Sequence, residues 1–198
     1  MFNNFFKGLI TSLALLASVA ANAATDTYGN LLAGSFTPSS SFATLTYSNV
    51  GNVYTFTLTA NDLNSLFTTD AFIGAIAVDS SVTPTVSNVT GDSPVSVASG
   101  KGPGGGFDFR FDLTGPKNAR LTSGESVTWT ATFASASSVE LSASSFALHV
   151  QGLTKAQGDS AWYTAGTPGV SAVPEADTYA MMALGLGLMG FVARRRRA

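Results

Sequence analysis

The sequence predicts an all-β protein: an antiparallel β-sandwich of about eight or nine strands, followed by a C-terminal single-pass transmembrane helix. Three observations predict it. Apolar and polar residues alternate with a period of two through the middle of the chain, as half-buried strands require. Only 11% of the 198 residues are charged while 45% are hydrophobic, and the abundant Thr, Val and Phe suit pleated faces. Turn residues (Gly, Asn, Asp, Pro) punctuate the alternating runs.

The N-terminus reads as an address. Lys7 gives a positive start, Gly8 to Ala20 an apolar stretch of 13 residues, and Ala21-Asn22-Ala23 the small-x-small pattern that a signal peptidase needs. The stretch is short for a bilayer whose hydrocarbon core is roughly 30 Å thick. Residues 1–23 are therefore expected to be a signal peptide, recognised through Ala21 and Ala23 and cut after Ala23.

Residues 24–172 form the expected extracytoplasmic domain, long enough to bury roughly 70% of its unfolded surface. Its strongest strands are Val53 to Thr59, with Tyr54, Phe56 and Leu58 on one face, and Phe107 to Leu113, with four apolar residues inward and Asp108, Arg110 and Asp112 outward. Ser126 to Phe133 places Val127, Trp129, Ala131 and Phe133 on one side, and Phe146 to Val150 alternates likewise. Further strands are expected at Ala43 to Tyr47, Phe72 to Val78, Thr85 to Val89 and Val139 to Ala143. Turns are expected at Asn49-Val50-Gly51, Gly91-Asp92, Gly115-Pro116 and Ser123-Gly124. One helical turn is expected at Asn61 to Phe67, capped by Asn61 or Asp62.

The C-terminus mirrors the start. Thr178 to Ala193 is uncharged and almost wholly apolar, and Arg194, Arg195, Arg196 and Arg197 follow at once. As a helix this stretch reaches about 24 Å, a short span that local thinning or snorkelling arginines would accommodate. The arginines hold that end in the cytoplasm, so a body already exported at its other end lies outside the inner membrane. Just before the span stands Val173-Pro174-Glu175. Pro174 lacks an N–H and keeps Val173 extended, so helix stops there and a strand-like segment precedes the span.

In this order, a Pro-Glu motif, a short glycine-containing span and terminal arginines, residues 173–198 resemble the PEP-CTERM sorting signal of exopolysaccharide-producing Gram-negative bacteria, a tail also catalogued as an ice-binding-protein C-terminal domain. Ala176 stands where that pattern usually has a second proline. The resemblance implies processing by an exosortase, a membrane enzyme that cuts near Val173, Pro174 and Glu175, with the inner membrane holding the protein only transiently. It also implies a place at the cell surface or in the extracellular matrix, among exopolysaccharide and biofilm. Within the body, Phe107 to Leu113, Leu121 to Thr128 and Ala147 to Gly152 are similar in order to a recurrent module of such proteins.

Composition excludes several functions. Between Ala24 and Ala172 ten acidic residues face five basic ones, leaving that body five charges negative. Nucleic acid, which needs clustered Lys and Arg, is not an expected partner. With no cysteine and one histidine, His149, the chain lacks the residues for a first-row metal site. Asn61, Asp62, Asn64 and Asp70 lack the spacing of a calcium loop and read as caps and turns. Glu125 and Glu140 are the body's only glutamates, and so the only Glu pair for a glycosidase. No cofactor, catalytic residue or metal ligand is expected. The expected role is a non-catalytic surface protein; the alternative is a carbohydrate-binding module with Trp162 and Tyr163 as saccharide contacts. A polysaccharide hydrolase is a remote third. His149 and Gln151 lie on the polar face of their strand, at the border of a potential binding surface.

Overall fold

The computed structural model describes residues 22–168 except 101 and 136–138. The sorting tail, the expected transmembrane segment 178–193 and most of the expected signal peptide lie outside the described residues. Among the described residues no helix is long and apolar enough to cross a membrane.

Ten strands follow one another: β1 (Asn22–Ala33), β2 (Ala43–Val50), β3 (Val53–Ala60), β4 (Phe72–Val78), β5 (Thr85–Gly91), β6 (Ser96–Ser99), β7 (Phe109–Asp112), β8 (Ser126–Thr132), β9 (Phe146–Gln151) and β10 (Ser160–Ala165). One short helix, α1 (Leu63–Leu66), lies between β3 and β4. All ladders are antiparallel, in the single order β5-β8-β3-β2-β1-β10-β9-β4-β7-β6. The sheet curls until its edge strands β5 and β6 touch, which makes it nearly barrel-shaped. Instead of eight or nine strands in a pair of sheets, the described residues build ten strands in one continuous order.

The alternation explains the curl. Tyr54, Phe56 and Leu58 of β3 and Val127, Trp129 and Ala131 of β8 turn inward, towards Phe109 and Phe111 of β7 and Phe146, Leu148 and Val150 of β9. Phe56 sits at the centre: its ring stacks on Trp129 at 5.1 Å and 13°, and lies 5.6 Å from Phe111 and 5.9 Å from Phe146. Burying such rings contributes about 1.5–3 kcal/mol each, and no flat sheet would cover both halves. Gly51 opens the two-residue turn between the paired Val50 and Val53 with φ +63°, a value open to glycine at little cost. Asp62 caps α1 by accepting from the Ser65 backbone N–H at 3.2 Å.

Two corrections to the expected elements have physical causes. Val139 to Ala143 alternates but forms no strand: the Val139 carbonyl accepts from the Tyr54 hydroxyl at 3.0 Å, and Ser142 and Ser145 close a capping box on a 3₁₀ turn. Conversely β1, β6 and β10 are strands that the pattern did not announce. β1 carries Asp26 on its inward side between Ala24 and Tyr28, β6 has four small residues, and β10 alternates with only Ala161 and Tyr163 as its buried pair.

Candidate functional site

A row of side chains crosses the outer face of β10, β9, β4 and β7. The register sets Trp162 opposite His149, His149 opposite Ala75, and Ala75 opposite Asp112. Since strand side chains alternate, inward Leu148, Val150, Tyr163 and Phe111 force these four residues outward. The His149 and Trp162 rings lie flat against each other, with centroids 4.3 Å apart and planes within 5°. Across the gap, Arg110 Nε and Nη2 donate to the two carboxylate oxygens of Asp112, a bidentate fork.

Between these walls lies a trough of about 220 Å³, lined by Gly74, Ala75, Arg110, Asp112, Thr114, His149, Gln151 and Trp162. Its floor is low because Ala75 is small and Gly74 has no side chain. Gly74 also marks a bulge, where the register slips between Ile73 and Ala75. The Gln151 side chain occupies the space that a Cβ at position 74 would fill. Burial pushes the His149 imidazole down to about 4, helped by the Arg110 guanidinium and opposed by Asp112. The ring is therefore neutral at physiological pH, one nitrogen donating and the other accepting. The trough combines a flat aromatic wall, a self-neutralised ion pair and mixed donors and acceptors.

The structure divides the residues singled out from sequence. Trp162 and His149, read separately, belong to one stack, and Arg110, Asp112 and Gln151 join them. Tyr163 is corrected: it is fully buried, points into the core, and donates its hydroxyl to the Phe36 carbonyl at 2.8 Å. It cannot touch a saccharide at the surface. Asp108 is exposed and outside the trough. Gly74, Ala75 and Thr114 are contributors the sequence reading missed; the glycine within the apolar run FIGAIAV was the available sign of a bulge.

Glu125 and Glu140 do not form a pair. Glu125 precedes β8 and accepts from the Thr122 N–H and hydroxyl at 2.6 and 2.8 Å. Glu140 lies beyond the other end of β8, beside Tyr54, in a second hollow of about 400 Å³ whose wall includes Ala23 and Ala24. The strand between them holds them about 20 Å apart at roughly 3.3 Å per residue, far beyond the roughly 5–9.5 Å of paired glycosidase carboxylates. Asp62 serves α1, and Asp70 pairs with Lys117 at 3.7 Å on the open surface. Among the described residues no group of three or more His, Cys, Asp or Glu is placed to hold a metal ion.

Of the expected processing residues, Ala23 is exposed near the start of β1, paired with Ser48. Ala21, Val173, Pro174, Glu175, Arg194, Arg195, Arg196 and Arg197 lie outside the described residues.

Comparison with known proteins bears mainly on that tail. No curated protein matches the chain. A solved structure described by the words "pH-induced modulation of Streptococcus parasanguinis adhesion by Fap1 fimbriae" is similar at 14% identity and a TM-score of 0.39, over 67% of this chain and 74% of that one. A likeness of that degree carries no argument. The family model of the PEP-CTERM protein-sorting motif matches residues 172–197, which marks an exported protein processed by an exosortase and anchored in a membrane in passing. Residues 172–197 of the chain are thus a PEP-CTERM protein-sorting motif.

Proposed function

We propose that this chain is a non-catalytic surface protein of a Gram-negative bacterium, released into the extracellular matrix by exosortase processing and retained there among exopolysaccharide. One observation carries the reading: the sorting motif at residues 172–197 comes after a domain with a nearly closed sheet. In this reading a signal peptidase removes residues 1–23. The segment 178–193 then holds the exported body at the inner membrane, with Arg194 to Arg197 on the cytoplasmic side, until the exosortase cuts near Pro174 and Glu175.

The test is cell fractionation and intact-mass measurement in a host with and without its exosortase. With the enzyme, the protein should be recovered at the surface, lacking both the first 23 residues and the arginine tail. Without it, the tail should remain and the protein should stay in the membrane. Release at the same mass from both hosts would sink the proposal.

The alternative reading, a carbohydrate-binding module, is favoured by Trp162, which presents an aromatic ring on the outer face beside the polar side chains of His149 and Gln151. Retention of the released protein on the producer's own polysaccharide, lost in Trp162→Ala, is its signature. Retention unchanged in that variant would exclude the role of this face.

A further inference from the structure

We infer that the trough between His149 and the Arg110–Asp112 fork is a subsite for a single ring of a neutral sugar. The inference rests on the carbohydrate-binding reading and adds where the ring sits and which charge class it belongs to.

Size comes first. At about 220 Å³ the trough falls below the roughly 300–1,000 Å³ of pockets for drug-sized ligands, which suits one ring and leaves the rest of a polymer outside. Shape follows from the floor and wall. Gly74 and Ala75 leave a shallow bed, and the imidazole, backed by the indole at 4.3 Å, is a flat plate. The negative π-faces of such rings attract the weakly positive C–H bonds on the apolar side of a pyranose.

Polarity settles the class. Arg110 already has its carboxylate and Asp112 its guanidinium, so an anionic sugar would have to compete with Asp112 and a cationic one with Arg110. Arg110 keeps N–H donors to spare beyond the two on Asp112; the other polar side chains are the neutral His149 ring, the Gln151 amide and the Thr114 hydroxyl. None of their side chains hydrogen-bonds to another described residue. Each of the three can both donate and accept, and a sugar hydroxyl does the same. These donors and acceptors are therefore matched by a polyhydroxylated neutral ring better than by any ion.

The chain's single histidine supplies a one-signal probe. The full-length protein in detergent micelles, at about pH 7 where the ring is neutral, is titrated with the methyl glycosides of glucose, galactose and mannose, and separately with glucuronate at equal ionic strength. At least one neutral glycoside should move the His149 ring resonances saturably, with a Kd of about 1–10 mM, typical of one weakly held ring. Glucuronate should bind at least about tenfold more weakly, the cost of one unfavourable charge contact. Gln151→Ala, with an otherwise unchanged spectrum, should weaken binding about fivefold or more, the loss of one hydrogen-bonding partner.

The subsite is overturned if no neutral glycoside gives a saturable shift, if glucuronate binds as well, or if Gln151→Ala binds like the wild type. A protein that is retained on polysaccharide through Trp162 while His149 stays silent would refute the subsite and leave the carbohydrate-binding reading standing. Absence of both would remove that reading too.

Discussion

Acidification should destabilise this sheet through one side chain. His149 lies half-buried against Trp162, and burial, aided by Arg110, holds its folded pKa at about 4 against an ordinary 6.5. Between those values the unfolded chain binds the proton and the folded sheet does not. Stability is thus fully present above about pH 6.5 and declines as the pH falls towards 4. At about 1.4 kcal/mol per pKa unit the full gap corresponds to roughly 3 kcal/mol. Two effects reduce it. Solvent screens a partly exposed ring, and an imidazolium lying flat on an indole regains about 0.5–1 kcal/mol of cation–π attraction. What remains is about 1–2 kcal/mol. Asp26 works in the opposite direction, because burial raises its carboxyl, so the comparison must be internal. Urea unfolding of the wild type and His149→Gln, at about pH 7.5 and about pH 4, isolates the histidine. The wild type should lose about 1–2 kcal/mol more than the variant over that interval. Parallel losses, or a ring that titrates near 6.5 by NMR, would refute the reasoning.

Two further outcomes follow from the core and a turn. Phe56→Ala removes the ring that Trp129, Phe111 and Phe146 surround, and should cost about 3–5 kcal/mol in denaturant unfolding; a cost below about 1 kcal/mol would show that the inner faces do not meet around it. Gly152→Ala puts a Cβ onto the Asp70 carbonyl at a backbone φ of +75°. It should cost about 1–3 kcal/mol, while alanine at Gly51, which meets nothing within 4 Å, should cost less.

The strands that could be read from sequence are those with large residues at every second position. VYTFTLT, FDFRFDL and SVTWTATF leave one face that must be buried, whatever the partner. β10 offers only Ala161 and Tyr163, so Trp162 and Tyr163 read together as saccharide contacts, although one faces the outer side and the other the core. The segment from Val139 shows the converse: alternation is only a disposition, and here a tyrosine hydroxyl and two serines took the backbone groups a ladder would have used. The trough was legible only in fragments. His149 and Gln151 sit on one polar strand face, and Arg110 and Asp112 on another. Their meeting depends on β4 lying between β9 and β7, and on Trp162 coming into register from β10. Such pairings are long-range and leave no local trace in the sequence.

The first residues of β1 bear on the order of events during export. The ladder begins at Asn22 opposite Asn49 and continues through Ala23 opposite Ser48 and Ala24 opposite Tyr47. A bond cut after Ala23 would thus lie inside a hydrogen-bonded rung, whereas a peptidase must take the substrate backbone into its own cleft as a free extended segment. Leader removal and closure of the sheet would then compete for the same few amides. If the leader is cut there, maturation would have to win that race while the chain is still emerging, because a body that folded first would shield its own scissile bond.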